Sequence, residues 1–163
     1  MRGVPASFES QLAIVEELLR EVARMERGER RARARRAASV YERELRLAGL
    51  AQRIAQSYTM MEGVLAFVAR RIDRAPVGGA EWHQALVARC ARPFEGPQRP
   101  AVVSQALAAE LLELCEFRHV VRGIYPTRLE ERRVRDNLAR LIRAARAFGA
   151  EVDAFAAARR KGT

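Results

Sequence analysis

The residues of this sequence best suited to chemistry on an anion lie between positions 115 and 125. Arg118 and Arg122 are four residues apart, and Tyr125 follows three residues later. On a helix this spacing places all three on one side, with the adjacent His119 about 100° round the axis. Arginine stays charged and can bind phosphate through two donors, and histidine transfers protons near neutral pH. The stretch therefore predicts a site that binds phosphate and moves protons.

The same stretch continues a stripe that should belong to a hydrophobic core. Leu107, Leu111 and Leu114 mark the apolar face of one helix, and the next position on that face is Arg118. Burying a cation is costly unless an anion neutralises it. Glu62, which stands inside an apolar segment, is one candidate. A phosphate group of a substrate is the other, and the pattern allows both.

The elements that position these residues read as helices. Apolar residues recur every three or four positions, and proline and glycine interrupt the pattern between segments. We predict an all-α, antiparallel bundle of four to five helices in a single domain, residues 1–163. The predicted segments are a first helix after Ser7 that weakens at Gly28, then 47–72, 81–91, 104–122 with Ser104 as N-cap, and a last helix opened by a Thr127–Glu130 capping box, with 157–163 as a frayed tail.

The chain is strongly basic. Its formal net charge is +10 and its sequence pI is about 11.1, and Lys161 is its only lysine. A run of arginines, residues 27–36, is either an extension of the first helix or a linker. A codon bias toward arginine explains the composition as well as function does, but a positive surface attracts RNA or phosphate in either case.

Several classes of protein are disfavoured. No apolar run reaches about 18 residues, and the first residues lack the apolar stretch of a secretory signal, so we expect a cytoplasmic protein without a membrane segment. Cys90 and Cys115 form no metal motif, so we expect buried free thiols and neither a metal nor another cofactor. Trp82 is expected in the core, and His83 is expected to cap or pack at a helix start.

Three separated segments resemble one family. They are CEFRHVVRGIYPTRLE, QSYTMMEGVLAFVARRID and GGAEWHQALVARCARP, and the resemblance as a whole covers roughly residues 40–155. Each is similar to a segment of HepT-like proteins of the HEPN superfamily: the Phe-Arg-His signature, a tyrosine-bearing helix with an internal glutamate, and a Trp-His helix start. The chain is therefore identified by resemblance as HepT-like.

The resemblance implies a function. HEPN domains are small helical bundles that often form homodimers, and many are metal-independent ribonucleases that act as toxins. HepT-type toxins are commonly encoded with an MNT-type nucleotidyltransferase antitoxin, which can modify a motif tyrosine with AMP. The resemblance implies RNA as substrate, that nucleotidyltransferase as partner, and these roles: Arg118, His119 and Arg122 catalytic, Tyr125 RNA-binding or AMP-modified, and Glu62 and Tyr58 supporting.

One departure keeps the function open. The superfamily motif is R-x-x-x-x-H, and with Arg118 as its arginine the histidine position holds Gly123. Cleavage would then depend on His119, or on two Arg118 side chains of a dimer. An interaction module that binds the nucleotidyltransferase or RNA without cleavage is the second hypothesis. A basic bundle that binds nucleic acid through residues 27–36 is the third.

Overall fold

The computed structural model describes residues 6–35, 39–95, 99–123 and 129–161. Within these ranges the chain is all-α, as predicted, and its only β-type pairing is an isolated bridge between Phe94 and Arg99. A π-helical segment, Val68–Ile72, continues the second helix without a break. The α-helices are α1 Ala6–Ala34, α2 Val40–Phe67, α3 Trp82–Cys90, α4 Gln105–Gly123 and α5 Glu131–Lys161.

The helices pack as an antiparallel bundle, and ion pairs show the direction of neighbours. Near the start of α1, Glu9 binds Arg160 at the end of α5, whereas Glu26 binds Arg146 earlier in α5. The two helices therefore run in opposite directions. Helix α1 also packs against α2, and α4 packs against both α2 and α5. The short α3 lies against α2 and α4, where it can deliver side chains to the site described below.

The basic run is an extension of the first helix and not a linker, at least to Ala34. Gly28 does not end the helix, and an ion pair between Glu26 and Arg30 spans it at i,i+4 spacing. Helix α2 begins earlier than its first predicted apolar residue, because Ser39 and Glu42 form a capping box. Each side chain accepts a hydrogen bond from the other residue's backbone N–H, which satisfies two donors that are otherwise unpaired at a helix start.

The other predicted helix ends have mixed outcomes. Ser104 caps α4 as predicted, since its hydroxyl accepts from the backbone N–H of Leu107. Thr127 of the predicted capping box lies outside the described residues. The tail predicted to fray from residue 157 instead stays helical to Lys161. Its last turns are held because Arg160 binds Glu9 and Phe155 packs against Phe8.

The apolar faces of all five helices meet in one core. Cys90 and Cys115 are buried free thiols, as predicted. One aromatic residue differs from expectation, since Trp82, expected in the core, is half-buried at its edge. Tyr58 is fully buried, and a carboxylate inside the bundle accepts a hydrogen bond from its hydroxyl. No helix in the described part of the chain combines the length and apolarity needed to cross a membrane.

Candidate functional site

Arg118 meets Glu62 inside the bundle. Arg118 lies on the core-facing side of α4 and is 2% exposed, and Glu62 faces it from α2. The Nη1 atom of Arg118 donates to Oε2 of Glu62 over 3.0 Å. The apolar stripe of α4 can therefore include a cation, because the Glu62 carboxylate on the neighbouring helix neutralises it. Of the two anions that the sequence allowed, the carboxylate is the one that pairs with Arg118 in the fold.

His83 completes this cluster from α3, and the sequence interpretation missed it. The Nδ1 atom of His83 contacts Oε1 of Glu62, and since a carboxylate only accepts, Nδ1 is the donor in this contact. Nη2 of Arg118 lies 3.1 Å from Nδ1 and 2.9 Å from Nε2. The two ring nitrogens point in different directions, so a single atom this close to both lies over the ring. Of the two roles expected for His83 at its helix start, the structure shows packing, against Trp82, and no cap hydrogen bond. Its contacts with Glu62 and Arg118 were not expected.

His119 brings a second imidazole to the cluster. The rings of His83 and His119 have centroids 5.5 Å apart in an edge-to-face arrangement. The sequence contains only two histidines, on different helices, and the fold places them side by side. His119 is exposed, and Nε2 of its ring lies 4.0 Å from the Cys115 sulfur. The two residues most able to transfer protons therefore share one surface position.

Tyr58 and Cys115 line the inner side of the cluster. The Tyr58 hydroxyl donates to Oε1 of Glu62 over 3.2 Å, and the Arg118 guanidinium carbon lies 5.2 Å from the centre of the Tyr58 ring. Burial raises the pKa of the Tyr58 phenol well above its usual range, and burial also raises the pKa of the Cys115 thiol. Both groups keep their protons at neutral pH. Neither is prepared to act as a base or a nucleophile.

The cluster opens toward solvent through its histidines. The Arg118 and Glu62 side chains are 3% and 6% exposed, the His83 side chain is 15% exposed, and His119 is exposed. Trp82 stacks beside His83 with ring centroids 3.8 Å apart, which limits the movement of that imidazole. Nε of Arg118 is buried without a hydrogen-bond partner among the described residues. The arrangement is thus a buried ion pair that supports two imidazoles at the surface.

The predicted site residues divide into three groups. Arg118, His119, Glu62 and Tyr58 come together as expected. Arg122 was expected to share the partly buried stripe, but it is exposed and forms no ion pair with a described residue, because α4 ends one residue later at Gly123. Tyr125 lies outside the described residues.

One signal in the sequence could have found His83. Glu62 stands in a core segment and can accept more than one hydrogen bond, so a single arginine does not satisfy it.

Among the described residues, no three histidine, cysteine or acidic side chains are arranged to hold a metal ion.

Comparisons with known proteins place the site within a family. A family model described as "HepT-like protein" matches residues 49–159, which is more than half of the chain and includes every residue of the cluster. Comparison with curated proteins found no match, and comparison with solved structures found none.

Proposed function

The chain belongs to the HepT-like family, and on this premise we propose that it is the toxin of a toxin–antitoxin pair, a metal-independent ribonuclease neutralised by a nucleotidyltransferase antitoxin. The observation that supports this most directly is the meeting of its only two histidines beside Arg118, with ring centroids 5.5 Å apart. Transfer of a phosphodiester to its own 2′-hydroxyl requires one group that removes a proton and one that supplies a proton. Two imidazoles at one surface position can fill both roles.

His83 is the proposed general base. The Glu62 carboxylate holds the proton on Nδ1, which leaves Nε2 as the nitrogen that can accept a proton. The 2′-hydroxyl loses its proton to this nitrogen as its oxygen attacks phosphorus. His119, which contacts no carboxylate among the described residues, donates the proton that the departing 5′-oxygen takes. The products are a 2′,3′-cyclic phosphate and a free 5′-hydroxyl.

Arg118 and Arg122 have different proposed roles. Arg118 is 2% exposed and already pairs with Glu62, so we assign it as a positioning residue that orients His83 rather than as a phosphate ligand. Arg122 is exposed, one helical turn beyond Arg118, and it binds the phosphate as negative charge develops. With these assignments His83 and His119 carry out both proton transfers, although Gly123 occupies the usual position of the motif histidine.

The test is cleavage of RNA by the purified protein in EDTA, followed by detection of 2′,3′-cyclic phosphate ends. His83→Gln and His119→Gln should each lower the cleavage rate by roughly 10²–10⁴-fold, the usual contribution of a general acid or base. Arg71→Gln, at an exposed arginine on the π-helical segment, is the matched control and should leave the rate unchanged. Full activity in both histidine variants would remove this site from the reaction.

The role of Arg118 has its own test. Arg118→Lys keeps a positive charge beside Glu62 but loses the flat guanidinium over the His83 ring. We expect a lower rate with a displaced pH profile, because the orientation of His83 changes, while the unfolding midpoint in urea moves little. An unchanged pH profile with wild-type activity contradicts a positioning role.

The partner is proposed on the family relation. When the chain is co-expressed with an MNT-type nucleotidyltransferase, which uses ATP as its AMP donor, the complex should be inactive. Mass spectrometry should then find AMP on Tyr125. Tyr125→Phe is the control that should abolish the mass increase. A homodimer, which we also propose, is tested by light scattering of the isolated chain.

A second function is favoured by Gly123. Without the motif histidine, the chain could serve as an interaction module that binds the nucleotidyltransferase or RNA and cleaves nothing. In that case RNA stays intact in EDTA even after the partner is removed, while the complex still forms. The same cleavage assay therefore separates the two functions.

A further inference from the structure

A wide basic groove lies where α1 ends and where α2 and α5 begin. It has a volume of about 810 Å³. Six arginines line it, against two glutamates. The lining residues are Gly28, Arg31, Ala32, Arg33, Arg35, Glu42, Arg43, Arg46, Glu131 and Arg135. Three helices that are distant in sequence therefore build one positively charged surface.

The charge of this groove is not cancelled from within. Glu131 pairs with Arg135, and the Glu42 carboxylate accepts a hydrogen bond from the backbone N–H of Ser39, so the six arginines still outnumber the two glutamates. Arg46 is also neutralised, because it binds Glu29. The four remaining arginines of the lining are exposed, and none forms an ion pair with a described residue: Arg31, Arg33, Arg35 and Arg43. Cations held this close repel one another, and an incoming polyanion relieves that repulsion.

Apolar side chains are exposed near the start of α2, the helix that supplies Glu42, Arg43 and Arg46 to the groove lining. Tyr41 is 72% exposed and Leu45 is 62% exposed, and they are one helical turn apart. Tyr41 directly precedes Glu42 and Arg43 of the groove lining, and Leu45 directly precedes Arg46. An exposed aromatic ring next to arginines is the combination with which proteins hold single-stranded nucleic acid, because bases stack on the ring while cations contact the phosphates.

We propose that this groove binds the sugar-phosphate backbone of a single-stranded RNA, with a base stacked on Tyr41. The choice of RNA over DNA rests on the proposed function, whereas the choice of a single-stranded polyanion rests on the arginines and Tyr41. The groove is separate from the histidine cluster. Arg46 and Glu62 lie on one helix, 16 positions apart, which corresponds to about 24 Å along its axis. The groove therefore holds a different part of the strand from the part at the histidines.

Gly28 allows a test that removes no existing contact. It lies inside α1 on the groove wall, and a Cβ added there meets nothing within 4 Å. Gly28→Glu places a carboxylate among the arginines, and Gly28→Gln is its neutral match in size. Both also remove the helix penalty of glycine, so neither should unfold the chain.

The measurement uses fluorescence anisotropy with a short, labelled 2′-O-methyl RNA. This strand lacks the free 2′-hydroxyl and cannot be cleaved through it, so its binding does not depend on whether the chain is a ribonuclease. Gly28→Glu should weaken binding by roughly tenfold or more, and Gly28→Gln should not. A DNA strand of the same sequence is the comparison that shows whether the sugar is recognised.

Removing arginines should change the salt dependence as well as the affinity. Log K falls with log salt by about 0.7 per phosphate contact on a single strand, so Arg31→Ala/Arg43→Ala should reduce that slope by about 1.4. The control is Arg70→Ala/Arg71→Ala, which removes the same charge from exposed positions beyond the other end of α2. Tyr41→Ala should weaken binding, and Tyr41→Phe should not, because the ring is retained.

The outcomes separate this proposal from the proposed function. If the groove variants bind the 2′-O-methyl strand as tightly as the wild type does, the groove is not the RNA site, whatever the cleavage assay shows. If Gly28→Glu instead disrupts only the complex with the nucleotidyltransferase, the groove is a protein interface and the proposal is wrong. If binding depends on the groove and no RNA is cleaved, the groove proposal stands and the ribonuclease proposal fails.

Discussion

In the described part of the chain, two arginine–carboxylate pairs are buried, and they differ in how completely each arginine is satisfied. Arg99 binds Asp73 through two hydrogen bonds, Nε to Oδ1 over 2.6 Å and Nη2 to Oδ2 over 2.7 Å. Its Nη1 donates to the backbone carbonyls of Arg92 and Pro100. Both charged side chains have 0% exposure. This closed pair ties the segment after α3 to the π-helical end of α2.

The pair formed by Arg118 and Glu62 is open by comparison. It has one hydrogen bond between the charged groups, a buried Nε without a described partner, and a third nitrogen over the His83 ring. Burial of a charge therefore does not identify a functional site, since the Arg99–Asp73 pair is buried even more deeply. Unused donors together with titratable, partly exposed neighbours mark the candidate site.

Replacing each pair by apolar residues should give the largest difference between the two pairs, measured as the rate of RNA cleavage. Apolar substitutes of similar volume often preserve stability. Glu62→Leu/Arg118→Met should stay folded and lose cleavage by roughly 10²–10⁴-fold, because His83 loses its orientation. Asp73→Leu/Arg99→Met should keep its cleavage rate. The rates are compared at equal helical content by circular dichroism, and an equal loss in both variants would make the two pairs equivalent.

Removing the carboxylate charge from one pair at a time should affect stability more at the Arg99–Asp73 pair than at the Arg118–Glu62 pair. Asp73→Asn leaves Arg99 buried without a counter-charge, so the free energy of unfolding should fall by about 3–5 kcal/mol. Glu62→Gln should cost less, because Arg118 retains His83 and solvent reaches that side. Urea unfolding monitored by circular dichroism measures both. A larger loss for Glu62→Gln would show that the open pair is the main structural one.

Alkaline pH should lower the free energy of unfolding through Cys90, a buried thiol on which the charges of Arg99 and Asp73 act. Burial raises the pKa of the Cys90 thiol to about 12. The folded chain then holds a proton that the unfolded chain releases from about pH 9, so stability falls as pH rises between these values. The slope for one such group is about 1.4 kcal/mol per pH unit. Cys90→Ala should lack this component in urea titrations across that pH range, and identical slopes for both proteins would contradict the assignment.

The smallest effect is expected at Cys115, next to the open pair. Its sulfur lies 4.0 Å from Nε2 of His119, which resembles a nucleophile beside a base. Burial raises the pKa of this thiol, so it is not a thiolate at neutral pH. Cys115→Ser should change the cleavage rate by no more than about twofold. A loss of several orders of magnitude would instead identify Cys115 as a nucleophile.

Local patterns predicted much of what the fold contains. The spacing of apolar residues predicted the all-α class and the main helical segments, since a helix repeats every 3.6 residues wherever it lies. The interruption of the α4 stripe pointed to Arg118, and the acid inside the apolar segment of α2 pointed to Glu62. The same patterns placed Arg122 on the buried stripe, because they could not show that α4 leaves the core before that residue.

The helices, the positive charge and a cation at an expected core position could all be inferred from the amino-acid sequence. The pairing of Glu62 with Arg118, the contact of His83 with His119 and the basic groove at three helix ends became visible only in the folded bundle. Helix formation depends on neighbours three and four residues away, so a local pattern reveals it. Contacts between helices depend instead on their crossing angles and on their relative heights along the bundle, which no local pattern contains.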